Sequence, residues 1–175
     1  MKTINDYANT IVLGDCVTVM QEMPSACVDL IVTDPPYLVN YRSRDGRRVP
    51  NDTNEAWLEP AFTEIYRVLK NDRFCISFYG WNKVDSFFRA WRKAGFYPVG
   101  HLVWVKDYHS NEQFVRYSHE SAYLLAKGRP LRPQTALRDV FEWQYTHNTL
   151  HPTQKPVMAL LPLILTFSSL GDIVL

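Results

Sequence analysis

Apolar positions along the chain fall into two kinds of run. Val28-Asp29-Leu30-Ile31-Val32-Thr33 is apolar on both faces apart from Asp29, which suits a central parallel strand covered by helices. In NEAWLEPAFTEIYRVLK, Leu58, Phe62, Ile65, Tyr66 and Leu69 recur at helical spacing and predict an amphipathic helix. A second apolar run, Phe74 to Phe78, predicts another strand. WNKVDSFFRAWRKAG then puts Val84, Phe87, Phe88 and Trp91 on one helix face, with Gly95 as its stop signal. Nearer the N-terminus, Ile11-Val12-Leu13 predicts a short strand ending at Gly14-Asp15, and Val17, Met20 and Met23 predict a small helix that stops near Pro24. HLVWVK and SAYLLAKG predict two further strands. A last helix begins near Pro156, favoured in a first turn, and continues through MALLPLILTF, where Pro162 is a kink point. Asp172-Ile173-Val174-Leu175 predicts a final strand. The alternation implies an α/β fold: an open, mostly parallel sheet with helices on both faces and its sites at the carboxyl ends of strands.

At 175 residues and 46% hydrophobic content the chain buries one core, so residues 1–175 are expected to form a single domain. A formal net charge of +1 leaves any nucleic-acid signal to local patches. MKTINDYANT lacks the basic start and apolar stretch of a signal peptide, and no apolar run approaches membrane-spanning length. The expectation is a cytoplasmic protein without a membrane partner. Cys16, Cys27 and Cys75 show neither CxxC spacing nor histidine neighbours, so no metal site is expected and reduced thiols are. Trp81, Trp91 and Trp104 read as packing residues.

Candidate chemistry concentrates in TDPPY, directly after the first long apolar run. Pro35 and Pro36 fix two backbone torsions and remove two amide donors, leaving carbonyl oxygens as acceptors beside the Asp34 carboxylate. Two acceptors held together suit an exocyclic amine that donates two hydrogen bonds, and Tyr37 offers a stacking face for a flat heterocycle. The constellation describes a pocket for an amino-purine or amino-pyrimidine base turned out of its helix. A plain strand-to-loop turn, with Asp34 as a cap, is the competing structural reading.

With the segments around it, DPPY resembles the catalytic motif of S-adenosylmethionine-dependent DNA adenine N6-methyltransferases, in the permuted arrangement where that motif precedes the cofactor motif. Gly14-Asp15-Cys16 is similar to the family's strand-end GD element beside the cofactor's adenine. His119-Glu120 with Lys127-Gly128 resembles the segment preceding the recognition region. HPTQKP, residues 151 to 156, resembles the element opening a helix beside the methionine end of the cofactor.

The resemblance implies a Rossmann-like methyltransferase sheet, S-adenosylmethionine as cofactor and double-stranded DNA as substrate. It assigns Asp34, Pro35, Pro36 and Tyr37 to catalysis, and Asp15, Cys16, Asp34, His151, Thr153 and Lys155 to the cofactor. Asp34 and the Pro35 carbonyl would accept the two N6 hydrogens while Tyr37 stacks on the extruded adenine, with no covalent enzyme intermediate. Cytosine N4 presents a similar amine and remains an alternative, as does an inactive remnant that binds DNA or a partner. In the family pattern GDIVL leads into DPF and a Gly-rich turn, whereas this sequence stops at Leu175. The resemblance therefore implies a C-terminally incomplete domain with weak cofactor binding. It also implies that strand 172–175 lies beside the catalytic strand with its outer edge open to a homodimer partner or a complementing polypeptide.

DNA contacts are expected from YRSRDGRRVPND, whose Arg42, Arg44, Arg47 and Arg48 stand against two acids in the loop after the catalytic strand. GRPLRP is a second basic segment, and residues 128–150 leave space for only a short recognition region.

Overall fold

In a computed structural model, residues 3–43, 46–109, 114–147, 150–151 and 153–175 are described. The elements are α1 (Cys16–Glu22), β1 (Val28–Thr33), α2 (Leu58–Val68), β2 (Leu69–Phe78), α3 (Val84–Ala94), β3 (Tyr97–Val105), β4 (His119–Lys127), β5 (Val140–Glu142) and α4 (Val157–Phe167). The strands form one sheet in the order β1-β2-β4-β3-β5. β1 is parallel to β2 and β3 to β5, while β4 runs antiparallel between β2 and β3. Every named strand except β4 therefore points the same way, as the alternating pattern implied.

Helices cover both faces. On one side Phe62 and Ile65 of α2 and Phe87 and Trp91 of α3 pack with Val28 and Ile31. On the other, Ala159 and Leu163 of α4 pack with Leu30, Ile76, Phe78 and Trp104. Opposite faces of β1 feed opposite cores, which is why its sequence is apolar without alternation. α3 ends where Gly95 turns left-handed, at φ 107°, and its N–H donates to the Trp91 and Arg92 carbonyls. A side chain there would also meet the Tyr66 ring, because a Cβ would lie 3.0 Å from Tyr66 Cζ.

Asp29 is the one charge inside β1, and a register shift satisfies it. Val28 faces Leu69 and Leu30 faces Phe74, so the intervening residues of β2 bulge outward. That bulge carries Lys70 and Arg73 back to the Asp29 carboxylate, at 2.8 Å each. The same carboxylate accepts the Ile173 N–H at 3.1 Å. The segment ending at Leu175 thus docks on β1. Ile173 O accepts the Asp29 N–H at 2.8 Å, Leu175 O accepts the Val32 N–H at 2.8 Å, and Leu175 N–H donates to Leu30 O at 2.9 Å. This parallel pairing matches the expected neighbour of the catalytic strand, and among the described residues no strand covers its outer side.

Two expectations fail. Residues 11–13 form no strand, because Ile11 and Leu13 project fully into solvent and no strand among the described residues lies alongside to pair with them. Leu69, counted on the helix face, is instead the first residue of β2, since α2 runs straight into that strand. β5 was not anticipated; three residues carry too little periodicity to read. Among the described residues no helix is long and apolar enough to cross a membrane.

Candidate active site

The TDPPY turn leaves the carboxyl end of β1, beside the end of β2. Leu38, Asn40 and Asp52 set its shape. Leu38 is buried with φ 62° and Asn40 has φ 51°, left-handed conformations that cost a branched residue such as Leu38 on the order of 1–3 kcal/mol. The buried Asp52 carboxylate holds that backbone, accepting the Val39 N–H at 3.2 Å and the Tyr41 N–H at 2.6 Å. Gly80, just past β2, closes the other side: a Cβ there would lie 2.5 Å from the Tyr37 carbonyl oxygen. Sequence reasoning missed both supports, because Asp52 is one acid in a long polar loop and Gly80 one glycine after a strand.

Asp34 is paired. Lys155 Nζ lies 3.0 Å from its Oδ1, with the lysine side chain 13% exposed and the aspartate 38%. The same ammonium sits 5.2 Å from the centroid of the Tyr37 ring, 4.9 Å from Phe78 and 5.8 Å from Trp143. It occupies a box of three rings and a carboxylate, favourable for a cation stripped of water. The Tyr37 hydroxyl donates to Glu120 Oε2 at 3.4 Å, and Glu120 Oε1 is held by Lys106 Nζ at 2.5 Å. Burial, followed by the Asp34 and Glu120 carboxylates, pushes the Tyr37 hydroxyl well above the ordinary phenol range, so it remains a donor. Phe78, Lys106 and Trp143 come from β2, the end of β3 and the segment after β5. Nothing in the sequence links them to DPPY.

A cleft of about 920 Å³ opens from the turn across the end of β1. Asp15, Cys16, Asp34, Pro35 and Pro36 all line it, together with Asp172 to Leu175. Asp15 caps α1, its Oδ1 accepting the Thr18 N–H at 3.0 Å, and Cys16 is the exposed first residue of that helix. Although its surface is exposed, partial loss of water around the sulfur, then the Asp15 charge, raises the Cys16 thiol. Among the described residues three carboxylates and no lysine or arginine line the cleft, which suits a ligand with cationic groups, and the volume holds a nucleoside-sized molecule. The donor set therefore fits S-adenosylmethionine, whose sulfonium and ammonium are positive.

The HPTQKP element divides. Lys155 reaches Asp34 rather than the cleft, whereas the exposed Thr153 Oγ1 and His151 Nδ1 hydrogen-bond each other at 3.0 Å and neither lines the cleft. Pro152 lies outside the described residues. Among the described residues no cluster of His, Cys, Asp and Glu could hold a metal ion.

In the basic loop Arg42, Arg47 and Arg48 are exposed, and Arg44 lies outside the described residues. Arg42 and Arg48 face each other across an antiparallel bridge, with the Ser43 N–H donating to the Arg47 carbonyl at 2.9 Å. These arginines thus share one tight turn in the chain beyond Tyr37. GRPLRP starts at the opposite end of the sheet, because Lys127 faces Arg73 near the start of β2. Trp91 and Trp104 pack in the cores, as expected, but Trp81 is exposed and stacks on Tyr117 with ring centroids 5.6 Å apart.

The family model described as DNA methylase, N6/N4 type, matches residues 28–175. YubD of Escherichia coli K12, named as a candidate methylase, is 55% identical over 162 residues, covering 93% of this chain and 71% of that protein. The DNA adenine methyltransferase YhdJ of the same organism is 27% identical over 207 residues, covering 96% of this chain and 70% of its own. Among solved structures, Thermus thermophilus TTHA0409, named as a candidate DNA modification methylase and complexed with S-adenosyl-L-methionine, superposes with a TM-score of 0.67 at 20% identity. It covers 93% of this chain and 75% of its own.

Proposed function

Since the chain belongs to the DNA methylase family, we propose that it transfers a methyl group from S-adenosylmethionine to the N6 amine of adenine in double-stranded DNA. The observation that carries this reading is the Asp34 carboxylate lining one cleft with Asp15 and Cys16, with the Tyr37 ring in the same strand-end turn. Adenine is preferred to cytosine because YhdJ, which aligns along nearly the whole chain, is named as an adenine enzyme.

When bound in the cleft, S-adenosylmethionine supplies an electrophilic methyl group. The residues of the chain do the positioning. Asp34 accepts one hydrogen of the target amine and the Pro35 carbonyl the other, which directs the nitrogen lone pair toward the cleft. Tyr37 stacks on the base, and Glu120 fixes its ring by accepting from its hydroxyl. Alignment of this kind accounts for much of the acceleration in a direct transfer that forms no covalent enzyme intermediate. Cleft residues 14–16 and 171–175 hold the cofactor, and the arginine turn meets phosphates.

The test is tritiated methyl transfer to unmethylated DNA by the purified chain, followed by nucleoside analysis. N6-methyladenine supports the reading, and its loss in Asp34→Ala with retained far-UV circular dichroism assigns the acceptor. N4-methylcytosine as the product would move the substrate to cytosine. DNA binding without methyl transfer or cofactor binding would leave a DNA-binding module.

A further inference from the structure

Lys155 stands where the proposed substrate would have to go. Its ammonium donates to Asp34 Oδ1 at 3.0 Å, the acceptor assigned to the target amine, and lies 5.2 Å from the centroid of the ring assigned to stack on the base. A base stacked on the side of that ring which the ammonium occupies would meet the ammonium, so the two exclude each other there. The lysine is also no loosely placed surface group, since its side chain is 13% exposed and Phe78 and Trp143 complete the box around it. Its backbone belongs to the turn just before α4, whose first residue is Val157, so it hangs from the edge of the site on a flexible four-carbon stem.

We propose that Lys155 is a tethered occupant of the amine site, and that a target base enters by exchanging with its ammonium. The inference rests on the reading of Asp34 and Tyr37 as the base-binding pair. In the free protein the lysine keeps a partly buried carboxylate compensated and the aromatic box filled, so the site neither floods nor collapses. Entry of an amine replaces one N–H donor to Asp34 with another. The displaced ammonium moves to solvent or to the phosphate flanking the extruded base. This role differs from cofactor binding, the function the resemblance implied for Lys155.

Free nucleosides test the idea without cofactor or DNA. Adenosine and inosine, which lacks the exocyclic amine, are titrated into the wild-type chain and into Lys155→Met, with binding followed by ligand-observed NMR. Lys155→Gln, which keeps length and drops charge, serves as the second variant should the first fold poorly. If the lysine vacates the site in one molecule in ten or fewer, its removal tightens adenosine binding about tenfold or more. In the wild-type chain, acetylation of Lys155 read by mass spectrometry should be slow beside that of the exposed Lys83, and should quicken when adenosine saturates the protein. Unchanged or weakened adenosine binding in both variants overturns the proposal, and so does Lys155 labelling that bound adenosine leaves unaltered. An equal gain for adenosine and inosine keeps the lysine as occupant while refuting the amine-acceptor reading of Asp34.

Discussion

Replacing Asp29 with Ala should cost the protein about 2–3 kcal/mol. The carboxylate is 4% exposed and accepts from Lys70, from Arg73 and from the Ile173 N–H. Stripping one partner from a fully buried ion pair costs about 3–5 kcal/mol. Here Lys70 and Arg73 are 42% and 36% exposed, so both can turn into water once the acid is gone, and the estimate falls below that range. What cannot turn outward is the Ile173 N–H, which loses its acceptor and loosens the strand pairing at the cleft floor. Burial alone would raise the Asp29 carboxyl, but Lys70, the Ile173 N–H and Arg73 outweigh it and hold the group below the ordinary carboxylate range. A carboxyl whose folded value is depressed stabilises the fold above the unfolded value, near pH 4, and that contribution is withdrawn as pH falls through the folded value. Urea unfolding followed by circular dichroism at pH 7 and pH 3 measures both effects. Asp29→Ala should unfold at lower urea than wild type at pH 7, with the gap narrowing at pH 3. A variant within about 0.5 kcal/mol of wild type at pH 7, or a gap independent of pH, would refute the argument.

Gly80→Ala should cut methyl transfer sharply with a smaller loss of stability, because its Cβ would meet the Tyr37 carbonyl and push the catalytic turn rather than the core; steady-state kinetics beside thermal melts separates the two. Arg47→Ala with Arg48→Ala should weaken DNA binding and lower the slope of log affinity against log salt by about 1–2, read by fluorescence anisotropy, and an unaltered slope would remove that turn from the phosphate contacts.

Much of the scaffold could be read in advance because its signals are local. β1 is a continuous apolar run, α2 and α3 carry clear stripes, and Gly95 marks a helix end, so these elements lie where the pattern put them. Residues 11–13 misled because three apolar residues look alike in a strand and in an exposed loop, and only a neighbouring strand decides between them. That a carboxylate and a ring stand together at the end of β1 was legible in DPPY. The remainder of the box was not, since Phe78, Trp143 and Lys155 close around Asp34 and Tyr37, and Glu120 reaches the Tyr37 hydroxyl, only once distant parts of the chain have packed together. Lys155 was singled out from its motif as a cofactor residue, and its contact with Asp34 is one that a motif, which names a residue but not its rotamer, does not show.

The bond between Asp29 and the Ile173 amide also has a meaning in time. Its partners are 144 positions apart, so during synthesis at about 5–20 residues per second β1 and the DPPY turn emerge roughly 7 to 30 s before the segment that walls the cleft. Through that interval β1 has an open edge and Asp29 a missing partner. A nascent chain therefore carries Asp34 and Tyr37 long before a cleft stands beside them, and the cleft closes only once residues 173–175 have left the ribosome.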